Sequence, residues 1–283
     1  MAQGISIHIG INRVDPGHYQ GWSGELAGCE FDAHDMVAIA ERIGFEERTV
    51  LLTADATVEN VTAALRAAAA KLSSGDILLL TYSGHGGSLP DKNGDEPDQR
   101  DETWVLYDRQ FVDDELFSLY VTFKSGVRIL VLSDSCHSGT CAKTLPSFLN
   151  PGALEARFGT SEPAGIERRV RTIPLEVRRR VEEANEAVYD EVQRSTPAND
   201  NVDLAASLLL ISGCQDNQTS ADGDRNGLFT GTLLDVWNGG NFKRYYRGLH
   251  RAIVERMPPD QTPNLFFIGQ PNPKFRRQKP FTI

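Results

Sequence analysis

The sequence predicts an α/β protein built on a mostly parallel central sheet with helices on both faces. Residues 77–82, 127–132 and 208–211 are unbroken apolar runs of the kind buried on both sides of a parallel sheet. Between and around them lie segments whose apolar residues recur at helical spacing, and strands alternating with helices build doubly covered sheets. At 283 residues, 40% of them hydrophobic, the chain suits one large core and excludes both wholesale disorder and a multidomain assembly.

Residues 5–11 alternate and are β-branched, which predicts the first strand. Residues 32–43 carry Met36, Ile39, Ala40 and Ile43 on one helical face, and residues 49–52 form a short second strand. Thr57 is placed to cap a helix over 58–72 that shows Val61, Leu65, Ala68 and Leu72 on one side. The three buried-type strands follow in turn, with helices near 230–237 and 245–257 and a last strand at 265–268. Residues 143–203 break the alternation, being charged and interrupted by Pro146, Pro151, Pro163, Pro174 and Pro197. They read as an insertion between two halves, 1–142 and 204–283, of a single domain. Within it, 175–193 predicts a solvated helix with Val177, Val181, Ala184 and Val188 as a thin apolar stripe.

The balance of 29 basic against 39 acidic residues gives a net charge of −10 and a pI of about 5.1. That sign argues against nonspecific nucleic-acid or anionic-membrane binding. No apolar run approaches the roughly 20 residues that cross a bilayer. The first ten residues lack the basic start and apolar run of a signal peptide, so a cytoplasmic, reducing location is expected. The charge is uneven: between Asp91 and Glu115 ten acids face three bases.

Two strand ends carry the chemistry. Tyr82-Ser83-Gly84-His85-Gly86-Gly87 closes one buried strand and Asp134-Ser135-Cys136-His137-Ser138-Gly139 another. Sites in open α/β sheets form beyond the carboxyl ends of strands, so His85 and Cys136 are expected to face one another across a cleft. A thiol with a pKa of about 8.5 needs an adjacent imidazole as base or counter-charge, which makes the pair a nucleophile and its base. The glycines around His85 let a substrate approach the backbone, and the amides of Gly86 and Cys136 are suited to an oxyanion hole. His137 points opposite to Cys136 by strand alternation and is not the base. The same period puts Asp134 on the side of Cys136, where a buried carboxylate makes a pocket for a cation.

These two segments, with Gly28-Cys29-Glu30-Phe31-Asp32-Ala33 and residues 211–222, resemble the motifs of metacaspases, the caspase-like cysteine peptidases of clan CD and peptidase family C14. The separation of 51 positions from His85 to Cys136 agrees with the about 50 that separate the two groups in caspases. The Gln-Ala-Cys signature of true caspases is absent. The resemblance implies a caspase-like (caspase-hemoglobinase) fold and a cysteine endopeptidase with Cys136 as nucleophile and His85 as general base and acid. It implies that Asp32 and Asp134 hold an Arg or Lys side chain before the scissile bond. An aspartyl substrate is repelled there, so the implied substrates are proteins or peptides with Arg or Lys at the cut. Monomeric behaviour is the family's tendency.

The resemblance further implies activation by Ca²⁺ at Asp101, Asp113 and Asp114, although Cys141, Ala142 and Lys143 stand where family members supply another Asp. A rival local site has Asp91, Asn93, Asp95 and Glu102 at positions one, three, five and twelve of an EF-hand-like loop, with Glu96 where that loop needs Gly. Family members often cut themselves between the two halves, which makes Lys143, Arg168, Arg169, Arg171, Arg178, Arg179 and Arg180 the candidate cleavage residues. Cys29 and Cys214 read as core residues, no Cys/His spacing suggests zinc, and no organic cofactor is expected. The competing functions are a catalytically silent caspase-like scaffold and a nucleotide-binding module. The intact His85, Cys136 and Asp134 oppose the first, and the lack of a phosphate-cradling glycine loop opposes the second.

Overall fold

The computed structural model describes residues 2–92, 94, 99–135, 169–196, 203–214 and 220–283. In chain order the strands are β1 (Gly4–Gly10), β2 (Glu47–Leu52), β3 (Ile77–Ser83), β4 (Gly86–Pro90), β5 (Arg100–Val105), β6 (Gln110–Val112), β7 (Arg128–Asp134), β8 (Ser207–Ser212) and β9 (Asn264–Gly269). The helices are α1 (Cys29–Ile43), α2 (Val58–Lys71), α3 (Asp113–Val121), α4 (Leu175–Ala184), α5 (Glu186–Ser195), α6 (Leu228–Trp237), α7 (Tyr246–Val254) and α8 (Pro273–Arg277). Six strands make the central sheet in the order β2-β1-β3-β7-β8-β9, and β4-β5-β6 form a small sheet beside it. All pairs of the large sheet are parallel except β8 with β9.

The apolar runs divide between two cores by simple alternation. Leu78, Leu80 and Tyr82 of β3 join Val61 and Leu65 of α2 and Leu116 of α3 on one side. Ile77 and Leu79 join Met36 and Ile39 of α1, Leu233 of α6 and Leu249 of α7 on the other. Thr57 caps α2 as expected, its hydroxyl accepting the Asn60 N–H at 3.2 Å. Helix α1 begins a turn earlier than the periodicity predicts, because the Asn12 side chain accepts the Cys29 and Glu30 N–H groups at 3.0 and 3.3 Å.

Two expectations change. The helix over 175–193 is a pair, α4 and α5, broken at Asn185 with φ −118° and ψ 17°. The Asn185 amide turns back to the Val181 carbonyl at 2.9 Å and reaches His18 O at 3.3 Å, an alternative to continuing the helical ladder. Val177 and Val181 are buried as expected, but Val188 is 45% exposed and Tyr189 is buried in its place. The acidic stretch 91–115 is not simply a solvated loop, since it supplies β5, β6 and the start of α3. Asp101, Glu102, Asp113 and Asp114 are all buried there. Among the described residues no helix is long and apolar enough to cross a membrane.

Tyr82 fastens the small sheet to the large one. Its ring stacks on Trp104 at 4.4 Å, and its hydroxyl donates to the His85 carbonyl at 2.6 Å and accepts the Val105 N–H at 3.1 Å. Tyr82→Phe leaves the His85 carbonyl and the Val105 N–H with each other, at 3.0 Å, but without the hydroxyl that joins both to β3. It is expected to lower the unfolding free energy by about 1–3 kcal/mol in urea denaturation. A loss under about 0.5 kcal/mol, the size of an ordinary surface change, would contradict this role.

Candidate active site

The parallel register pairs Ser83 of β3 with Asp134 of β7, so the residues that follow both strands emerge side by side at the carboxyl edge. The start of α1 closes in from β1. A Cβ on Gly10 would lie 2.4 Å from the Cys29 carbonyl oxygen, so only glycine lets that helix approach the strand end.

His85 is buried just beyond β3, under the Trp22 ring at 4.8 Å between centroids. Its Nε2 lies 2.9 Å from the Gly24 carbonyl oxygen. A carbonyl only accepts, so Nε2 carries the proton and the lone pair of the neutral ring sits on Nδ1. Nδ1 is buried and has no hydrogen-bond partner among the described residues. Burial lowers the pKa to about 4, the Gly24 hydrogen bond pulls it back in part, and Arg171 lowers it further. The ring is therefore neutral at pH 7 with its free lone pair inside the site, as a general base requires.

Asp32 and Asp134 do share a pocket, and a third carboxylate, Asp222, joins them. The occupant is Arg171, whose side chain is 0% exposed. Its Nη2 lies 2.9 Å from both Asp32 Oδ2 and Asp222 Oδ1, and its Nη1 lies 3.0 Å from Asp134 Oδ1 and 2.9 Å from Ser83 Oγ. Each carboxylate is held by further donors. Asp134 accepts from Ser220 Oγ and from the Thr230 N–H and hydroxyl at 2.7–2.9 Å. Asp32 accepts from Ser83 Oγ at 2.6 Å, Asn226 Nδ2 at 3.0 Å and the Gly227 N–H at 3.1 Å. Asp222 accepts the Ala27 and Gly28 N–H groups at 2.8 and 3.2 Å. Burial raises the Asp32 pKa to about 6, with Arg171 opposing and Asp134 adding to the rise. Gly227 is the bare wall of the pocket, where a Cβ would meet Arg171 Nη1 and Asp134 Oδ2 at 2.4 Å.

The backbone around Arg171 is extended and clamped on both sides. Its N–H donates to Ser220 O at 3.0 Å, and Arg169 O accepts the Asp222 N–H at 2.9 Å. Its own carbonyl oxygen accepts the Gly86 N–H at 2.9 Å, and the Ile173 N–H donates to Gly86 O at 3.2 Å. A peptide carbonyl thus rests on the amide expected to form half of the oxyanion hole.

The remaining candidates fall in three groups. Cys136, Lys143 and Arg168 lie outside the described residues, as do His137, Asn93 and Asp95. Arg169 is exposed, Arg178 on α4 bonds Ser88 Oγ at 3.1 Å, and Arg179 and Arg180 are exposed on the same helix. Asp101, Asp113 and Asp114 are buried where β5 passes the start of α3. Among the described residues no three His, Cys, Asp or Glu side chains are grouped to hold a metal. Cys29 and Cys214 are buried, and burial pushes the Cys29 thiol up to about 12, beyond reactive use. The sequence reading did not assign Asp222 or Ser83 to the pocket, although both stand in its quoted motifs. The Gly24 carbonyl leaves no sequence signal, because any residue supplies one.

The caspase-domain family model matches residues 9–280. The chain is 30% identical over 253 residues to metacaspase-1 of Kluyveromyces lactis, covering 80% of this chain and 55% of that protein. It is 32% identical over 253 residues to metacaspase-1 of Cryptococcus neoformans var. neoformans, covering 80% and 52%. It therefore spans about half the length of these relatives. The crystal structure of a Geobacter sulfurreducens protein superposes with a TM-score of 0.84 at 49% identity over 99% of both chains. Caspase-1 of Spodoptera frugiperda superposes at 0.55 with 12% identity over 95% of this chain and 86% of its own, a likeness of fold alone.

Removing the guanidinium would strand three carboxylates in a dry pocket. Arg171→Ala, compared with the parent in full-length chains whose mass is verified, is expected to lose about 3–5 kcal/mol of stability at pH 8. The loss should shrink toward pH 5, because Asp32 already titrates near 6 and takes up a proton more readily once its cation is gone. Denaturation at the two pH values checks this, and equal losses would show that the pocket's charge is not what holds the segment.

Proposed function

We propose, because the chain belongs to the caspase-domain peptidase family, that it is a cysteine endopeptidase that cuts proteins and peptides after Arg, and after Lys less well. The observation that carries the reading is Arg171, seated on Asp32, Asp134 and Asp222 with its carbonyl on the Gly86 N–H. Three carboxylates exclude an aspartyl side chain by repulsion. They favour Arg over Lys because a planar guanidinium serves them with two nitrogens where an ammonium offers one.

In the proposed reaction His85 Nδ1 takes the Cys136 thiol proton and the thiolate bonds to the scissile carbonyl carbon. The oxyanion that forms is held by the Gly86 and Cys136 N–H groups. The imidazolium then gives its proton to the departing amine as the C–N bond breaks. Water, losing a proton to Nδ1, hydrolyses the thioester, and the acid is released with the thiol restored. The Gly24 carbonyl keeps the ring in the tautomer this needs. A silent scaffold has no use for a buried base whose Nδ1 lone pair meets no hydrogen-bond donor among the described residues.

The same geometry supports self-processing at Arg171–Thr172, the candidate bond that lies extended across the site. Wild-type protein is expected to split there while Cys136→Ala protein stays whole, which mass spectrometry of the fragments checks. A fluorogenic peptide ending in Arg should be cleaved at least tenfold faster than one ending in Lys, and one ending in Asp not at all. Asp134→Asn should lower kcat/KM on Arg by on the order of a hundredfold or more, the loss of one partner of a buried pair. Equal cleavage of Arg and Asp peptides would refute the acidic pocket.

Calcium activation is a separate part of the proposal. Carboxylate oxygens are the donor type that Ca²⁺ prefers, but binding would have to draw Asp101, Asp113 and Asp114 together from their present arrangement, and no catalytic step passes through the ion. Millimolar Ca²⁺ is expected to raise the activity of chelator-treated protein and to stabilise it against heat. Asp113→Asn should weaken both effects, and indifference of rate and melting temperature would remove calcium from the account.

A further inference from the structure

The segment in the cleft shows which positions beyond the arginine are read. Around the proposed cut its side chains alternate between burial and solvent, and the alternation is lopsided. Arg169 is exposed and Val170 is 37% exposed, and among the described residues the two are held by backbone pairing to the stretch around Ala221 and Asp222. After the cut Thr172 is half-buried, and Ile173 is 5% exposed. Ile173 joins the apolar cluster that holds Leu89 of β4, Trp104 of β5 and Phe111 of β6. Its tip passes over bare backbone at Gly87, where a Cβ would stand 3.0 Å from Ile173 Cδ1. Its N–H donates to Gly86 O at 3.2 Å, so the residue whose amide helps to polarise the scissile carbonyl also fixes the register of the second residue beyond it.

We infer that this protein selects its substrates at two positions, an arginine before the cut and an aliphatic residue second after it. The inference rests on the endopeptidase reading and adds a specificity site on the departing side of the bond, against Gly86 and Gly87 of β4. Chemistry separates the two positions. The arginine pocket is acidic and reads charge, whereas the Ile173 site is apolar and reads volume and desolvation. A charged side chain placed there would give up its water in a dry site whose nearest polar groups, the Thr103 hydroxyl and the Gln110 amide oxygen against Gly87, are uncharged. The intervening position, like the two before the arginine, is left open to solvent or only half covered, so it contributes backbone contacts and little selection.

The test uses full-length protein that has completed its self-cleavage, with internally quenched peptides reproducing residues 169–174. Replacing the isoleucine in the peptide (Ile173→Ala) is expected to lower kcat/KM on the order of tenfold to a hundredfold, the worth of one buried aliphatic side chain, and Ile173→Asp further still. Ile173→Leu should stay close to the parent, and Val170→Ala should change the rate less than about threefold, as suits an exposed position. In the second arm, on the chain itself, Ile173→Ala should slow the splitting at Arg171 while Ile173→Leu does not. Equal cleavage of the Ile, Ala and Asp peptides would overturn the inference and leave the enzyme reading intact, marking Ile173 as a core residue of the uncut chain only. If no arginine peptide is cut at all, the enzyme reading itself falls, and this inference with it.

Discussion

A buried guanidinium among three carboxylates is the interaction on which the other features of the site depend. Asp32, Asp134 and Asp222 come from the first turn of α1, the end of β7 and the stretch before α6, three places far apart in sequence. Left without a cation, carboxylates this dry and this close would take up protons or drive the loops apart. Two helix starts share the work of holding them. Asp222 accepts N–H groups at the beginning of α1, and Asp134 accepts the Thr230 N–H in the first turn of α6. These are backbone donors that the start of a helix leaves open, so the acids complete the helices.

The same contacts align an extended segment beside His85. With Arg171 in the pocket, its N–H pairs with Ser220 O, the neighbouring Arg169 carbonyl accepts the Asp222 N–H, and its own carbonyl reaches the Gly86 N–H. Gly86 follows His85 directly, and the Tyr82 hydroxyl holds the His85 carbonyl from the opposite direction. Recognition of the side chain and placement of the bond are therefore one event. The pair α4 and α5 adds a tether from the departing side. Arg100 donates to Ser88 O at 2.9 Å and pairs with Glu182, and the Tyr189 hydroxyl lies 2.8 Å from His18 Nε2, on the loop that carries Trp22 and Gly24 over the base.

How much of this was legible in the sequence depends on which signal each part left. The large sheet was read almost strand for strand, because Ile77–Ser83 and its neighbours are apolar on both faces and leave no alternative. The placement of His85 and Asp134 side by side was legible because both sit at strand ends that the fold rule points to. Strands β4, β5 and β6 escaped notice since each is short and the acids among them suggested solvent, whereas Asp101 and Asp113 are enclosed. Arg171 was one of seven basic candidates and nothing in its own neighbourhood singled it out. Register sets it apart in the structure, because Arg179 and Arg180 lie on a helix and Arg171 lies on an extended stretch paired to Gly86 and Ser220. Asp222 stayed unassigned for a related reason: its partners, Ala27 and Gly28, are almost two hundred positions away.

Occupancy by the chain's own arginine also sets the terms on which anything else enters. Exchanging one guanidinium for another leaves the pocket's charge, hydrogen bonds and desolvation unchanged, so the acidic site cannot by itself prefer an outside peptide over Arg171. Tethering favours the internal segment, since a linked ligand faces its site at an effective concentration of millimolar order. The balance must then be tipped by what differs between the two competitors, which is the continuity of the chain at Arg171–Thr172 and the hold on Ile173. The proposed cut at this bond would remove the first, separating the arginine from the anchored α4–α5 pair. The second would remain with Thr172 and Ile173, so on this reading the apolar site beyond the cut, more than the acidic one before it, sets how freely the cleft is exchanged.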